Sequence, residues 1–250
     1  MCRCRLLSPP FSSLRLLPVL TRLRSSAPRL ARALRALVCA GLAALLLGSH
    51  GPSWAWDAER MTAAAQRLGP RALAGVRALQ AVLATARDAD EAGQLQAVNQ
   101  FFDRRIAFRD DTEVWGQVDY WASPLEMLDK GAGDCEDYAI AKYFSLLALG
   151  MPAARLRLVY VRAQLGGPGG PTQAHMVLAY YARPDAEPLI LDNLITEIRP
   201  ASRRPDLEPV FSFNSDGLWQ GTGATSAGSP VARLARWPAV LAKGHAEGFF

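Results

Sequence analysis

Gly131-Ala132-Gly133-Asp134-Cys135-Glu136-Asp137 breaks one segment and opens another. The glycines stop what precedes them, and the acids sit where the first turn of a helix favours negative charge. Behind them come Tyr138, Ala141, Phe144, Ser145 and Leu147–Leu149, and Gly150 and Pro152 close the helix. Cys135 is thus expected in a first helical turn. There the helix dipole and free N–H groups stabilise a thiolate and can hold an oxyanion. A helical cysteine is more often a small core residue, so the neighbouring sequence decides its reading.

Upstream, Ser123-Pro124-Leu125-Glu126 has the form of a cap with proline in the first turn, predicting a short helix to Asp129 or Lys130. The polar, aromatic stretch from Arg109 to Pro124 reads as loop. From Ala58 to about Arg105 the apolar spacing is helical (Leu73, Val76, Leu79, Leu83; then Leu95, Val98, Phe102), with breaks at Gly69-Pro70 and Asp88–Asp90. Downstream the period changes to two. Leu156–Val161, His175–Tyr181 and Pro188–Asp192 read as strands, linked by Gly166–Pro171 and by a turn at Arg183–Glu187. The tail from Pro200 reads as polar loop with one weak helical run near Val231–Lys243. The fold class is α+β, helices first and then an antiparallel sheet.

A loop starting at Ala182 would set His175 directly across from Asp192 on one face, Cβ atoms about 5 Å apart. Thiol, imidazole and carboxylate then form the set that nucleophilic catalysis needs, with His175 as base and Asp192 holding its tautomer. Trp115, Trp121 and Trp219 suit core positions better than a cleft lining. Lys130 and Lys142 are expected to face solvent.

The formal charge of +5 is unevenly spread. Residues 1–55 hold eight arginines and no acid, which leaves 20 basic against 23 acidic residues beyond them and gives no sign of nucleic-acid binding. The arginine-rich start leads into the apolar run Ala36–Gly48 and then Ser53-Trp54-Ala55. That run suits a signal-peptide core better than a membrane span of about 20 residues. Residues 1–55 are therefore expected to be a leader and 56–250 the mature, exported domain. Cys2, Cys4, Cys39 and His50 fall in the leader, which leaves one thiol, Cys135, and two imidazoles, His175 and His245.

Asp119–Glu126, Gly133–Tyr143, Ala174–Tyr180, Leu189–Leu194 and Phe213-Asn214 together resemble the bacterial transglutaminase-like cysteine proteinases. The resemblance spans roughly residues 57–220 and weakens after Gly221. It implies a papain-like, transglutaminase-like fold and endoproteolysis through a thioester. It also implies Ca²⁺ beside the nucleophile, on positions matched by Asp134 and Glu136; Asp137 and Asp119 are weaker candidates. Carboxylates beside a thiol oppose thiolate formation, and a cation held by oxygen ligands would offset them. The resemblance further implies a periplasmic enzyme that cuts an alanine-containing site near the N-terminus of a large surface adhesin, controlling biofilm attachment. An inner-membrane cyclic-di-GMP receptor would sequester it. A transglutaminase-type acyltransferase and a non-catalytic peptide-binding protein are the alternatives.

Overall fold

The structure, a computed structural model, describes residues 56–250; the expected leader lies outside the described residues. Three helices come first: α1 (Ala58–Leu68), α2 (Pro70–Ala86) and α3 (Glu91–Arg105). The breaks fall where the sequence marks them. Asp57 and Asp90 cap α1 and α3, and proline opens α2. The two-residue strand β1 (Ala107–Phe108) and the single turn α4 (Asp111–Val114) precede α5 (Pro124–Lys130). Ser123 and Glu126 form a capping box at the start of α5, and Gly131 ends it at φ 65°, a conformation glycine adopts without strain.

The strand β2 (Ala132–Gly133) pairs in parallel with β1 and delivers the chain to α6 (Cys135–Ala148). Gly133 is required there: a Cβ would lie 2.8 Å from Asp137 Oδ2. All residues of α6 from Asp137 to Leu146 are buried. The helix packs on α3 and on the strands β3 (Leu156–Gln164) and β4 (Thr172–Tyr180). Lys142, expected in solvent, is therefore fully buried and ion-paired to Asp103 at 2.7 Å. A helix with neighbours on every side has no solvent face to offer it.

The further strands are β5 (Leu189–Leu191), β6 (Arg199–Pro200), β7 (Leu207–Phe213), β8 (Leu218–Gln220) and β9 (Ser226–Gly228). The main sheet runs β6-β5-β4-β3-β7-β8-β9, with every pairing antiparallel. The last three occupy the tail expected to be loop. Two are three residues long, too short for an alternating pattern to show. The helices α7 (Pro230–Arg233) and α8 (Trp237–Ala246) close the chain. Trp237 is fully buried, stacked on Phe144 at 6.1 Å between centroids and edge-on to Phe213. On the opposite face of the sheet Val159, Val161, Val177, Ala179 and Ile190 form a second apolar cluster. With both faces covered, His175–Tyr180 is buried without interruption.

The hairpin register differs from the expected one. Leu178 pairs with Leu191 and Tyr180 with Leu189, so the connection runs from Tyr181 to Pro188. Asp192 therefore lies two residues out of line with His175. Because side chains repeat every two residues, this shift keeps both on one face.

Candidate active site

Asp134 occupies the N-cap position of α6 and Cys135 is its first residue. The half-buried thiol meets the start of the buried part of β4, with the backbone N–H of Met176, the residue after His175, directed at its sulfur. The thiol donates to Glu136 Oε2 at 3.1 Å, and no hydrogen bond joins it to the imidazole. Burial and the neighbouring Glu136 and Asp134 carboxylates push the Cys135 thiol far up, against the modest opposing pull of the Met176 N–H.

His175 and Asp192 are both buried, and Nε2 of the ring lies 2.7 Å from Asp192 Oδ1. That bond places the ring proton on Nε2 and leaves Nδ1 free to accept another. The diagonal across the shifted register is short enough for the contact the sequence pointed to. Asp192 Oδ1 also accepts the Leu194 N–H at 3.1 Å, and Oδ2 accepts from Arg204 at 2.6 Å. Burial would raise the Asp192 carboxyl, but His175 and Arg204 outweigh it and hold it below the usual carboxylate range. Behind it, Lys142 Nζ reaches the main-chain oxygen of Asp192 at 3.3 Å.

A carboxylate cluster adjoins the thiol. Oxygens of Asp111, Asp119 and Glu136 lie within 4.8 Å of one another, and so do oxygens of Asp111, Asp134 and Asp137. Burial and then Glu136 and Asp137 push the Asp134 carboxyl up to about 10, and burial likewise raises Asp111 and Asp137. Asp134 Oδ1 and Asp111 Oδ1 are buried without a hydrogen-bond partner. Unpartnered buried carboxylate oxygens aggregated in this way suit a hard cation with six to eight oxygen ligands. The three acids named from sequence are thus all present, but unequal. Asp137 already accepts the Ala122 N–H at 2.7 Å and the Asp134 N–H at 3.3 Å, so its oxygens tie α5's approach to the start of α6.

Two residues the sequence did not single out join the site. Asp111 lies in the stretch read as loop, where α4 turns it inward and its Oδ2 accepts the Tyr120 N–H. Arg204 lies in the tail read as polar loop. His245 is exposed on α8, apart from this constellation.

The sequence profile of the bacterial transglutaminase-like cysteine proteinases matches residues 76–205. Among solved structures the chain is similar to EGTA-treated LapG of Legionella pneumophila, with 37% identity and a TM-score of 0.66 over 75% of this chain and 97% of that one. The calcium-bound form of the same protein matches with 37% identity and a TM-score of 0.63 over 75% and 98% of the two chains. No curated protein matches. With more than half its length in the family profile and nearly the whole of LapG covered, the chain belongs to the bacterial transglutaminase-like cysteine proteinases and is a cysteine protease.

Proposed function

We propose that the protein is a periplasmic, calcium-dependent endopeptidase with Cys135 as nucleophile, His175 as general base and acid, and Asp192 as the group that orients the imidazole. The 2.7 Å bond between His175, on the strand β4 that packs against α6, and Asp192, just past β5, carries this reading. His175 Nδ1 takes the thiol proton, and the thiolate adds to a peptide carbonyl carbon. Backbone N–H groups at the start of α6 face the oxyanion. The C–N bond then breaks as His175 returns the proton to the leaving amine. Water, deprotonated by His175, cleaves the thioester and restores the thiol.

Asp134 and Glu136, with Asp111 and Asp119 completing the set and Asp137 the weakest member, would hold Ca²⁺. When bound it would offset the carboxylate charge that opposes ionisation of the thiol. The unpartnered oxygens of Asp111 and Asp134 support this, as does the similarity to a LapG structure that is calcium-bound. By family resemblance the substrate is the N-terminal region of a large surface adhesin, cut to control biofilm attachment, and the sequestering partner is an inner-membrane cyclic-di-GMP receptor.

The test is cleavage of such an adhesin region by the purified protein, with calcium and with excess chelator. Cutting that chelation stops and calcium restores supports the reading. Cutting that persists once bound metal is shown to be gone removes calcium from it, and an uncut adhesin region removes the substrate.

A further inference from the structure

Arg204 is an unusual residue to find behind a protease site. Its side chain is 1% exposed, held between two carboxylates, and carries none of the proton or acyl transfers described above. Its backbone is fixed at both ends, by its own N–H to Ala201 and by its carbonyl to the Leu207 N–H at the start of β7. The guanidinium then spans two acids. Nη2 lies 2.6 Å from Asp192 Oδ2 and 2.8 Å from Asp206 Oδ2, while Nε lies 3.0 Å from Asp206 Oδ1. Asp206 is itself tied to β3, since its carbonyl accepts the Gln164 N–H at 2.8 Å.

The consequence falls on Asp192. With Oδ2 taken by Arg204, the carboxylate has one oxygen left for the ring, and Oδ1 meets His175 Nε2 at 2.7 Å. Rotation of the carboxylate would break the Arg204 bond and the Leu194 bond together. A planar guanidinium can serve both acids at once, which an ammonium on a flexible stem does less well. We infer that Arg204 is a positioning residue for proteolysis, locking the plane of Asp192 so that His175 is held with its proton on Nε2 and Nδ1 open to the thiol. This rests on the Cys–His–Asp reading of the site and adds to it a fourth group, anchored through Asp206 to the sheet.

The readout is the imidazole proton of His175, followed by proton NMR on the purified protein in calcium buffer and assigned by its loss in His175→Ala. The native protein gives a downfield, slowly exchanging Nε2 proton. Arg204→Gln moves it upfield or broadens it, and Arg204→Lys recovers it in part. On an internally quenched peptide with an alanine-containing centre, Arg204→Gln lowers kcat about 10²-fold while KM stays within roughly twofold. A folded Arg204→Gln with native proton signal and native kcat overturns the inference. If Arg204→Gln does not fold, Asp206→Asn decides. A displaced imidazole proton supports the lock, and an unmoved one overturns it. Asp192→Asn, run in parallel, separates the two levels. If it too leaves signal and kcat unchanged, the triad itself falls; if it loses both while Arg204→Gln keeps them, the role of Arg204 alone falls.

Discussion

Lys142 sits about two helical turns beyond Cys135, and nothing in its own spacing announces that it is buried. Burial pushes its ammonium down and the Asp103 carboxyl up, each partly offset by the other. Taking away the lysine strands Asp103, so Lys142→Met is expected to cost about 3–5 kcal/mol of stability, read from the urea midpoint at unchanged slope. A loss below about 1 kcal/mol would mean that the pair is not dry. Asp192→Asn is expected to act on rate, lowering kcat about a thousandfold through the wrong tautomer of His175 while the protein stays folded. Cys135, His175 and Asp192 were legible in the sequence because few thiols and imidazoles remain beyond residue 55, and because Cys135 opens a helix and Asp192 follows directly on a short strand. Arg204 and Asp111 were not. One of two adjacent arginines among polar neighbours and an aspartate in a stretch without periodicity acquire their partners at the site only through tertiary folding.

At the scale of the element, helices were legible where caps and glycines punctuate them, as at Asp57, Asp90, Ser123 and Gly131. The tail strands were not, because β8 and β9 are short and are held by neighbours in the sheet rather than by their own pattern. The tail still matters to α5. Just after α8, the Glu247 carboxylate accepts from the Ser123 hydroxyl and, at 3.4 Å, from the Leu125 N–H. Burial pushes the Glu247 carboxyl up to about 7, more than those bonds pull it down. A carboxyl that binds its proton more tightly in the folded state stabilises that state at low pH. The contribution is complete below the unfolded value near 4.5 and is lost as pH rises through 7. Thermal melts of Glu247→Gln and the native protein should therefore diverge between pH 5 and pH 8. The native protein should lose on the order of 3 kcal/mol more across that window. Parallel profiles would contradict the shift.

Residues 56–250 form a helical layer and a sheet that meet at α6, with the thiol at the end of that helix where the carboxylate cluster adjoins it. Trp237 from the tail fills the core between Phe144 and Phe213, so deleting residues 222–250 should abolish cooperative unfolding rather than trim a dispensable end. A cation that binds the folded state alone should raise Tm. Chelation is expected to lower it by about 5–10 °C for a site saturated a hundredfold, measured calorimetrically. An unchanged Tm would argue against the acids acting as ligands. That Cys135 carries the acyl group can be read from the intact mass of the protein quenched in acid during turnover of a peptide it cuts. The native protein is expected to gain the mass of the N-terminal fragment less one water, mapped to Cys135, released by hydroxylamine and absent from an inert Cys135→Ala. Cleavage by Cys135→Ala at the native rate, with no adduct on the native protein, would contradict it.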